Sequence, residues 1–185
     1  MNALKRLNVD YRLSNDINEI RNAEKVIFPG VGHAGAAMEA LKRANLVDLI
    51  PQLTQPLLGI CVGMQLMCEG SEEGDSKGLG IIDATVRKFD DTLNIKVPHM
   101  GWNNLKIEKV DPIWNGIEEE SYLYFVHSYY VPIHESTIGS CEYGHSFSAA
   151  IRKDNFWGIQ FHAEKSGDIG SQLLDNFVKG SLEKI

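Results

Sequence analysis

Short apolar runs alternate with longer segments of helical spacing in the first half of the chain. The runs at residues 25–28 and 56–60 have the length of buried strands, and segments of helical spacing at 36–50 and 62–69 follow them. Strands that alternate with helices predict a parallel sheet with helices on both faces. Ahead of the first strand, the pattern predicts a helix at 3–8, a short strand at 9–13 and a short helix or turn at 15–22.

Strands dominate the pattern beyond residue 80. We predict them at 81–89, 95–98, 105–110, 122–132, 147–152 and 156–161. Lys153, Asp154 and Asn155 form a hairpin turn between the last two strands. Residues 169–182 then form a closing helix whose apolar side chains share one face. The length of 185 residues and the absence of repeats and linkers indicate a single domain over residues 1–185.

Composition and charge exclude several classes of protein. The net charge of −7 and the scattered lysines and arginines argue against nucleic acid or an anionic membrane as partners. No apolar run reaches the ~18 residues that a transmembrane helix needs, and no secretory signal opens the chain. The three cysteines, Cys61, Cys68 and Cys141, are too few for a disulfide framework and contain no Cys-x-x-Cys pair. We therefore expect a cytoplasmic protein without a metal site.

The strongest local signal is the sequence Gly59-Ile60-Cys61-Val62-Gly63. It has the form Gly-x-nucleophile-x-Gly, follows an apolar strand and opens a helix, which is the setting of a nucleophile elbow. Glycines permit the sharp turn, and the helix N-terminus favours a thiolate at Cys61. The same residues also fit a buried cysteine in a tightly packed strand-to-helix turn. We place Cys68 in the core of the following helix, and Cys141 in a polar loop without a motif.

A base for this thiol stands at the end of a later apolar strand. His162 ends that strand, and Glu164 follows two residues on. The offset lets the carboxylate reach one imidazole nitrogen while the other stays free for the thiol. We therefore predict Cys61 as nucleophile, His162 as base and Glu164 as the group that orients the base. A surface histidine beside a solvated glutamate is the alternative; a zinc deaminase is excluded because no Pro-Cys-x-x-Cys follows.

A glycine-rich loop in the first half allows two interpretations. Residues 30–35 match the Gly-x-Gly-x-x-Gly pattern of dinucleotide-binding turns, which also wants an acidic residue at a strand end about twenty residues on. Asp48 lies near that distance, but inside a predicted helix. An acyl-transfer site instead needs backbone donors for the developing oxyanion. We assign Val62 as one donor and the loop at Val31 and Gly32 as the second, with nucleotide binding as the alternative.

Three motifs together carry a family resemblance. PGVG at 29–32, GICVGMQ at 59–65 and FHAE at 161–164 resemble the class I, triad-type glutamine amidotransferases. The stretches FPGVGHAGAAM, VPHMGWNNL, YFVHSYY and FHAEKS are similar to the glutaminase subunits of imidazole glycerol phosphate synthases, in histidine biosynthesis. The resemblance runs from near residue 1 to the C-terminus. It implies a three-layer, flavodoxin-like α/β fold with a mostly parallel sheet and antiparallel strands in the C-terminal half.

The resemblance also implies a reaction. Cys61 attacks the side-chain amide of glutamine, His162 protonates the departing ammonia, and water cleaves the glutamyl thioester. The residues that match the family's glutamine-holding positions are Gln65 and the backbone around His127, Ser128 and Tyr129. The resemblance implies no cofactor.

A partner follows from the same resemblance. The family passes ammonia into a cyclase subunit of (β/α)8-barrel fold, so we expect a heterodimer that makes imidazole glycerol phosphate and an aminoimidazole carboxamide ribonucleotide. Tyr124 and Lys165 match residues at the ammonia passage, and Met100 and Trp102 match a partner-facing loop. Such glutaminases are nearly silent without the ligand-bound cyclase. A second oxyanion donor that is missing until a peptide of the PGVG loop rotates would explain this silence, at roughly 2.7–4 kcal/mol of barrier.

Two departures from the family pattern change what we expect. Ala163 stands where the family has proline, which loosens the turn between His162 and Glu164. The family's opening β-strand and glycine-rich turn have no counterpart here, so we expect an incomplete start and a gap in the sheet. This departure supports a non-catalytic or truncated member of the fold as the alternative function. A glutaminase of another synthase, such as that of the pyridoxal phosphate pathway, is a further alternative.

Overall fold

The computed structural model describes residues 2–90, 92 and 95–182, and its centre is a mixed six-stranded sheet. In spatial order its strands are β1 (Val26–Gly30), β2 (Leu57–Cys61), β12 (Phe156–Ile159), β11 (Ser146–Lys153), β10 (Thr137–Glu142) and β7 (Lys106–Ile107). The first three run parallel, and the pairs from β12 to β7 are antiparallel. The predicted α/β class with an antiparallel C-terminal half is confirmed.

Two smaller sheets accompany the central one. The first contains β4 (Ser76–Lys77), β3 (Cys68–Ser71), β5 (Ile82–Lys88) and β9 (Tyr129–Tyr130), in this spatial order. The second pairs β6 (His99–Asn104) with β8 (Tyr122–His127), so that His99 lies opposite His127 and Trp102 opposite Tyr124. Because only Ser128 separates β8 from β9, this segment links the two small sheets.

Helices pack their apolar faces onto these sheets. The α-helices of the described residues are α1 (Asn2–Arg6), α2 (Ile17–Arg21), α3 (Ala34–Arg43), α4 (Val62–Leu66) and α5 (Gly167–Lys179). The longest of them, α5, buries Leu173, Leu174 and Phe177 on one side, as its helical spacing predicts. Lys25 joins the start of β1 to the end of α5, because its Nζ donates to the carbonyl oxygens of Phe177 and Gly180, each at 2.9 Å. In the described part of the chain, no helix has both the length and the apolar character that crossing a membrane requires.

Two predicted helices are shorter than the pattern indicated. The helix predicted at 36–50 is α3, which ends at Arg43, and Ile50–Gln52 form a separate 3₁₀ turn. The helix predicted at 62–69 is the five-residue α4. Cys68 lies in the core as predicted, but it lies in β3, where it pairs with Ile82 of β5. Strand pairing with β5 thus ends the helix earlier than the apolar spacing suggested.

Three predictions about strands are wrong. Residues 9–13 form no strand, because no strand of the described chain lies beside them to pair with. Residues 95–98 precede β6 and form no strand themselves. Cys141, which we predicted in a polar loop, lies buried in β10. Because β10 consists of small and polar residues, its sequence does not show a strand pattern. These residues are buried because β10 lies between β11 and β7 in the sheet.

The gap expected in the central sheet is absent from the described residues. β1 forms one edge of the sheet and pairs with β2 in register, from Val26 opposite Leu57 to Gly30 opposite Cys61. The three parallel strands are therefore contiguous. The carboxyl end of β2 keeps a strand on each side, which is the position where open α/β sheets place their ligands.

Candidate active site

Cys61 lies at the tip of a strained turn between β2 and α4. Its backbone has a φ of +52° and a ψ of −110°, a conformation that side-chain-bearing residues rarely adopt. Strain of this kind persists only where the surroundings hold it, and it is typical of a nucleophile elbow. The turn presents the thiol at the carboxyl end of β2, where the five-residue motif predicted it.

Glycines let the elbow pack tightly against the neighbouring strand. A Cβ atom on Gly63 would lie 1.9 Å from the carbonyl oxygen of Phe28 in β1. A Cβ atom on Gly30 would lie 2.7 Å from the backbone nitrogen of Gly63, and one on Gly59 would lie 2.8 Å from the Gly63 carbonyl. Close packing therefore accounts for Gly30, the first glycine of the Gly-x-Gly-x-x-Gly pattern, without a bound nucleotide.

The N-terminus of α3 is occupied by the protein's own acceptors. Glu73 Oε2 accepts a hydrogen bond from the Ala34 N–H at 2.6 Å, and His33 Nδ1 accepts one from the Gly35 N–H at 3.1 Å. A dinucleotide-binding turn offers such amides to the pyrophosphate. Because a carboxylate holds this position, the arrangement disfavours the nucleotide interpretation.

His162 follows β12 and meets Glu164 as the two-residue offset predicts. Its Nδ1 lies 2.8 Å from Glu164 Oε1, with alanine at position 163. The His162 N–H donates to the Tyr124 carbonyl at 2.9 Å, and Ser166 Oγ donates to the His162 carbonyl at 2.8 Å. These bonds fix the backbone of the turn, so the contact forms without the family's proline. Since Nδ1 is engaged by Glu164, Nε2 is the nitrogen that can serve Cys61.

The arrangement favours a protonated imidazole. Hydrogen bonds with Cys61 and with Glu164 raise the pKa of His162 to about 9, against the opposing effect of burial. Burial by itself would raise the pKa of Glu164, but the hydrogen bond with His162 contributes to a net shift downward. At neutral pH the site therefore holds an imidazolium between the Cys61 sulfur and a carboxylate.

The two other thiols lie in surroundings that keep them protonated. Burial raises the pKa of Cys68 to about 12 and that of Cys141 also to about 12. Cys141 Sγ donates to the Asn104 carbonyl at 2.8 Å. Among the described residues neither thiol has an imidazole partner, so Cys61 is the cysteine whose surroundings suit a nucleophile.

A cavity of about 350 Å³ opens at Cys61. The predicted site residues that line it are Val31, Gly32, Cys61, Val62, Gln65, His127, Ser128, Tyr129, His162 and Lys165. Glu164 contacts His162 without lining the cavity. Val62 is the first residue of α4, so its N–H has no acceptor within the helix and is available for an oxyanion. The structure thus brings the predicted catalytic and substrate-holding residues to one place.

Two residues near the nucleophile are not indicated by any pattern in the sequence. Glu73 contributes a carboxylate to the cavity wall, and Gln160 Nε2 lies 3.6 Å from Cys61 Sγ. Gln160 is separated from Cys61 by 99 positions, and Glu73 is separated from Ala34 by 39. No spacing rule connects residues so distant. The place of Gln160 directly before the Phe-His motif is the one signal that could have drawn attention to it.

One face of the β6–β8 sheet carries Met100, Trp102 and Tyr124, which are three of the four residues predicted for the partner surface and ammonia passage. Met100, Trp102 and Tyr122 are 61%, 54% and 57% exposed, respectively. Trp102 packs edge-on against Tyr124, with ring centroids 5.8 Å apart, and Lys165 Nζ lies 5.7 Å from the Tyr124 ring centroid. These three side chains form a stack from the exposed surface to the cavity wall. Exposed apolar patches of this kind are typical of interaction surfaces.

Comparison with known proteins gives the class to which this fold and site belong. The family described as glutamine amidotransferase class-I matches residues 2–180. The chain therefore belongs to the class-I glutamine amidotransferase family. A crystal structure of a glutamine amidotransferase has the same fold, with a TM-score of 0.72, 15% identity, and coverage of 96% of this chain and 89% of that chain. A further glutamine amidotransferase structure, from Thermotoga maritima, has a TM-score of 0.65 and 15% identity, over 96% and 90% of the two chains.

Within this family, the relatives with high sequence identity belong to one kind of subunit. The chain is 46% identical to the imidazole glycerol phosphate synthase subunit HisH of Shewanella loihica, over 96% of this chain and 83% of that protein. It is 49% identical to the same subunit of Bacteroides thetaiotaomicron, over 95% and 90% of the two chains. The resemblance drawn from the short motifs is confirmed.

Proposed function

We propose that this chain is the glutaminase subunit of an imidazole glycerol phosphate synthase and hydrolyses glutamine to glutamate and ammonia. The observation that carries the proposal is a strained Cys61 that shares a cavity of about 350 Å³ with His162, whose ring is paired with Glu164. Identities of 46% and 49% to HisH subunits support the choice of pathway.

In the proposed reaction, the Cys61 thiolate attacks the side-chain amide carbon of glutamine. Negative charge develops on the amide oxygen, and the Val62 N–H donates to it. The His162 imidazolium gives its proton to the leaving nitrogen, ammonia departs, and a glutamyl thioester remains. The now neutral imidazole takes a proton from water, whose oxygen attacks the thioester carbonyl. Glutamate leaves, and the thiolate–imidazolium pair is restored.

Polar groups around the cavity suit the amino-acid end of glutamine. Both hydrogens of Gln65 Nε2 are engaged, by the Tyr129 carbonyl and by Gln160 Oε1, each at 2.9 Å. Gln65 therefore offers its Oε1 to a ligand, as an acceptor. The Glu73 carboxylate on the cavity wall is a suitable partner for the substrate ammonium. We assign the backbone at His127 and Ser128 to the same end of the substrate.

The relatives are named as subunits, which implies a partner subunit for this chain as well. We propose that the partner is a cyclase of (β/α)8-barrel fold and that it docks on the exposed face with Met100 and Trp102. The stack of Trp102, Tyr124 and Lys165 leads from this face to the cavity, which supports its assignment to the ammonia passage.

Docking of the cyclase is proposed to complete the oxyanion hole. Val31 is 80% exposed and Gly32 has a φ of +89°, so the loop can turn a peptide without displacing buried side chains. Rotation of that peptide would add the second donor, worth roughly 2.7–4 kcal/mol of barrier. Equal accumulation of the acyl intermediate with and without the partner would contradict this step.

The proposal predicts turnover that depends on the partner. Glutamate release is measured for this chain alone, with the cyclase subunit, and with the cyclase and its nucleotide ligand. We expect appreciable release only in the last case. A folded chain that releases no glutamate in any combination would favour the alternative of a non-catalytic member of the fold. Release that is equally fast without the cyclase would exclude the proposed coupling.

A second prediction concerns the alkaline limb of the pH profile. The imidazolium of His162 is lost as pH rises through its pKa of about 9, so kcat/KM for glutamine should fall there. Replacing Glu164 by glutamine removes one of the causes of the raised pKa, and the limb should move to lower pH by about one unit. Glu164→Asp, which keeps the charge, is the matched control. If the alkaline limb of Glu164→Gln stayed at the same pH as that of the parent, the carboxylate would not set the protonation of His162.

A further inference from the structure

The buried side chain of Gln160 directs its amide nitrogen at the nucleophile. Gln160 is 0% exposed, and its Nε2 lies 3.6 Å from Cys61 Sγ. The opposite end of the same amide, Oε1, accepts a hydrogen bond from Gln65 Nε2 at 2.9 Å. No role in the reaction described above uses this contact.

The orientation of the Gln160 amide follows from its neighbours. Gln65 Nε2 also lies 2.9 Å from the Tyr129 carbonyl, and a carbonyl can only accept. The Gln65 atom at this position must therefore be the nitrogen, and its second hydrogen must go to an acceptor on Gln160. That acceptor is Oε1, so the NH₂ group of Gln160 is the end that faces Cys61.

A chain of donors that runs through two buried histidines holds the Tyr129 carbonyl in turn. His127 Nδ1 lies 2.8 Å from this carbonyl, and His127 Nε2 lies 3.0 Å from His99 Nδ1. Asn103 Nδ2 lies 3.4 Å from His99 Nε2. Since the carbonyl must accept, His127 carries its proton on Nδ1, His99 on its own Nδ1, and Asn103 donates to His99. Every hydrogen bond in this series is therefore donated in the direction of Tyr129.

Burial keeps this chain in a single protonation state. It lowers the pKa of His99 to about 4 and that of His127 to about 3. A second proton on His127 would sit on Nε2 and oppose the N–H of His99 Nδ1. A second proton on His99 would sit on Nε2 and oppose the NH₂ group of Asn103. Both rings are therefore neutral at neutral pH, and the positions of the hydrogens from Asn103 to Gln160 are determined.

We propose that Gln160 is a further catalytic residue, whose amide donates a hydrogen bond to the Cys61 thiolate and stabilises it before attack. Gln65, His127 and His99 act as positioning residues that hold this amide in place. A hydrogen bond to an ionised acceptor in a buried site is stronger than one between neutral groups, because little water competes for it. The inference rests on the proposed function, in which Cys61 is the nucleophile.

Alkylation of Cys61 by iodoacetamide tests the inference without the partner. Gln160→Met keeps the length of the side chain and removes the donor. We expect alkylation at pH 7 to slow about tenfold, as loss of a hydrogen bond to a charged group implies. At pH 10 the rates of variant and parent should converge. Gln172→Met is the matched control, because Gln172 donates to Asn176 within α5, and its rate should equal that of the parent.

Two results would overturn the inference. An unchanged rate at pH 7 in folded Gln160→Met excludes stabilisation of the thiolate by Gln160. Equal slowing at pH 7 and pH 10 indicates a changed access to Cys61 and no electrostatic role.

A measurement on the parent protein covers the case in which Gln160→Met does not fold. The Gln160 side-chain amide signals in ¹⁵N NMR should titrate with the thiol, and should lose this titration in Cys61→Ala. Signals that stay unmoved across the pH range in the parent overturn the inference. Turnover that survives in Cys61→Ala would overturn the proposed function itself, so the two failures are distinguishable.

Discussion

Replacing Cys61 by alanine is expected to abolish glutamine hydrolysis and to leave the fold intact. In the proposed reaction the thiol forms the thioester, and Cys61 is the cysteine that lines the cavity together with His162. Removal of the nucleophile of a catalytic triad costs about 10⁶ in rate in a serine protease. Alanine keeps the Cβ atom that Cys61 already places in this backbone, so the substitution introduces no new clash. The measurement is the rate of glutamate release in the complex with the ligand-bound cyclase, with circular dichroism to check the fold.

The other two cysteines supply matched controls for this experiment. Cys68→Ala and Cys141→Ala remove buried thiols whose pKa values are each raised to about 12, so they hold their protons at neutral pH. Each is expected to change the rate of glutamate release by less than about threefold, with small losses in stability from the missing sulfur. If Cys61→Ala retained a tenth of the parent rate, a thioester on Cys61 would be excluded.

Gly63→Ala is expected to destabilise the protein strongly. Its Cβ would lie 1.9 Å from the Phe28 carbonyl oxygen, and 3.0 Å from the Phe28 carbonyl carbon. These are backbone atoms of β1, so no side-chain rotation can relieve the clash. Either β1 or α4 must move, which would also displace Cys61. We expect a loss of about 3 kcal/mol or more in the free energy of unfolding, at the upper end of overpacking effects.

Urea unfolding of Gly63→Ala and of a control variant would measure this effect. Gly35→Ala is the control, because its Cβ would lie 3.3 Å from the ring of the exposed His33, which can move aside. Alanine gains up to about 1 kcal/mol over glycine in a helix, which offsets the loss if the ring gives up its hydrogen bond with the Gly35 N–H. Gly35→Ala should therefore be close to neutral. If both variants unfolded at the same urea concentration, the close approach of Gly63 to β1 would not be what shapes the elbow.

Much of the site was predictable because its signals are local in the chain. The elbow is five consecutive residues, and His162 and Glu164 are two positions apart, so chain geometry alone brings these groups into the right relation. The strands before Cys61 and His162 are short apolar runs, and runs of this kind pair in the core of a sheet. The approach of His162 to Cys61 followed from chemistry, since a thiol nucleophile needs a base.

Other parts of the fold were not predictable, because they depend on which strands lie side by side and not on the composition of each segment. The small and polar residues of β10 are buried between β11 and β7, and nothing in their own pattern indicates a strand. Residues 9–13 have a strand-like pattern and form none, since no strand lies beside them among the described residues. Cys141 was misplaced for the same reason.

The sequence by itself determined the α/β class, the elbow at Cys61 and the pairing of His162 with Glu164, because each depends on neighbours within a few positions. The tertiary structure decided which distant groups complete the site: Glu73 at the cavity wall, and Gln160 beside the Cys61 sulfur. It also placed Gln65 against Gln160 and buried His99 and His127, which lowers the pKa of both rings. These facts arise from contacts between strands far apart in the chain, and from burial, which a linear pattern of residues does not contain.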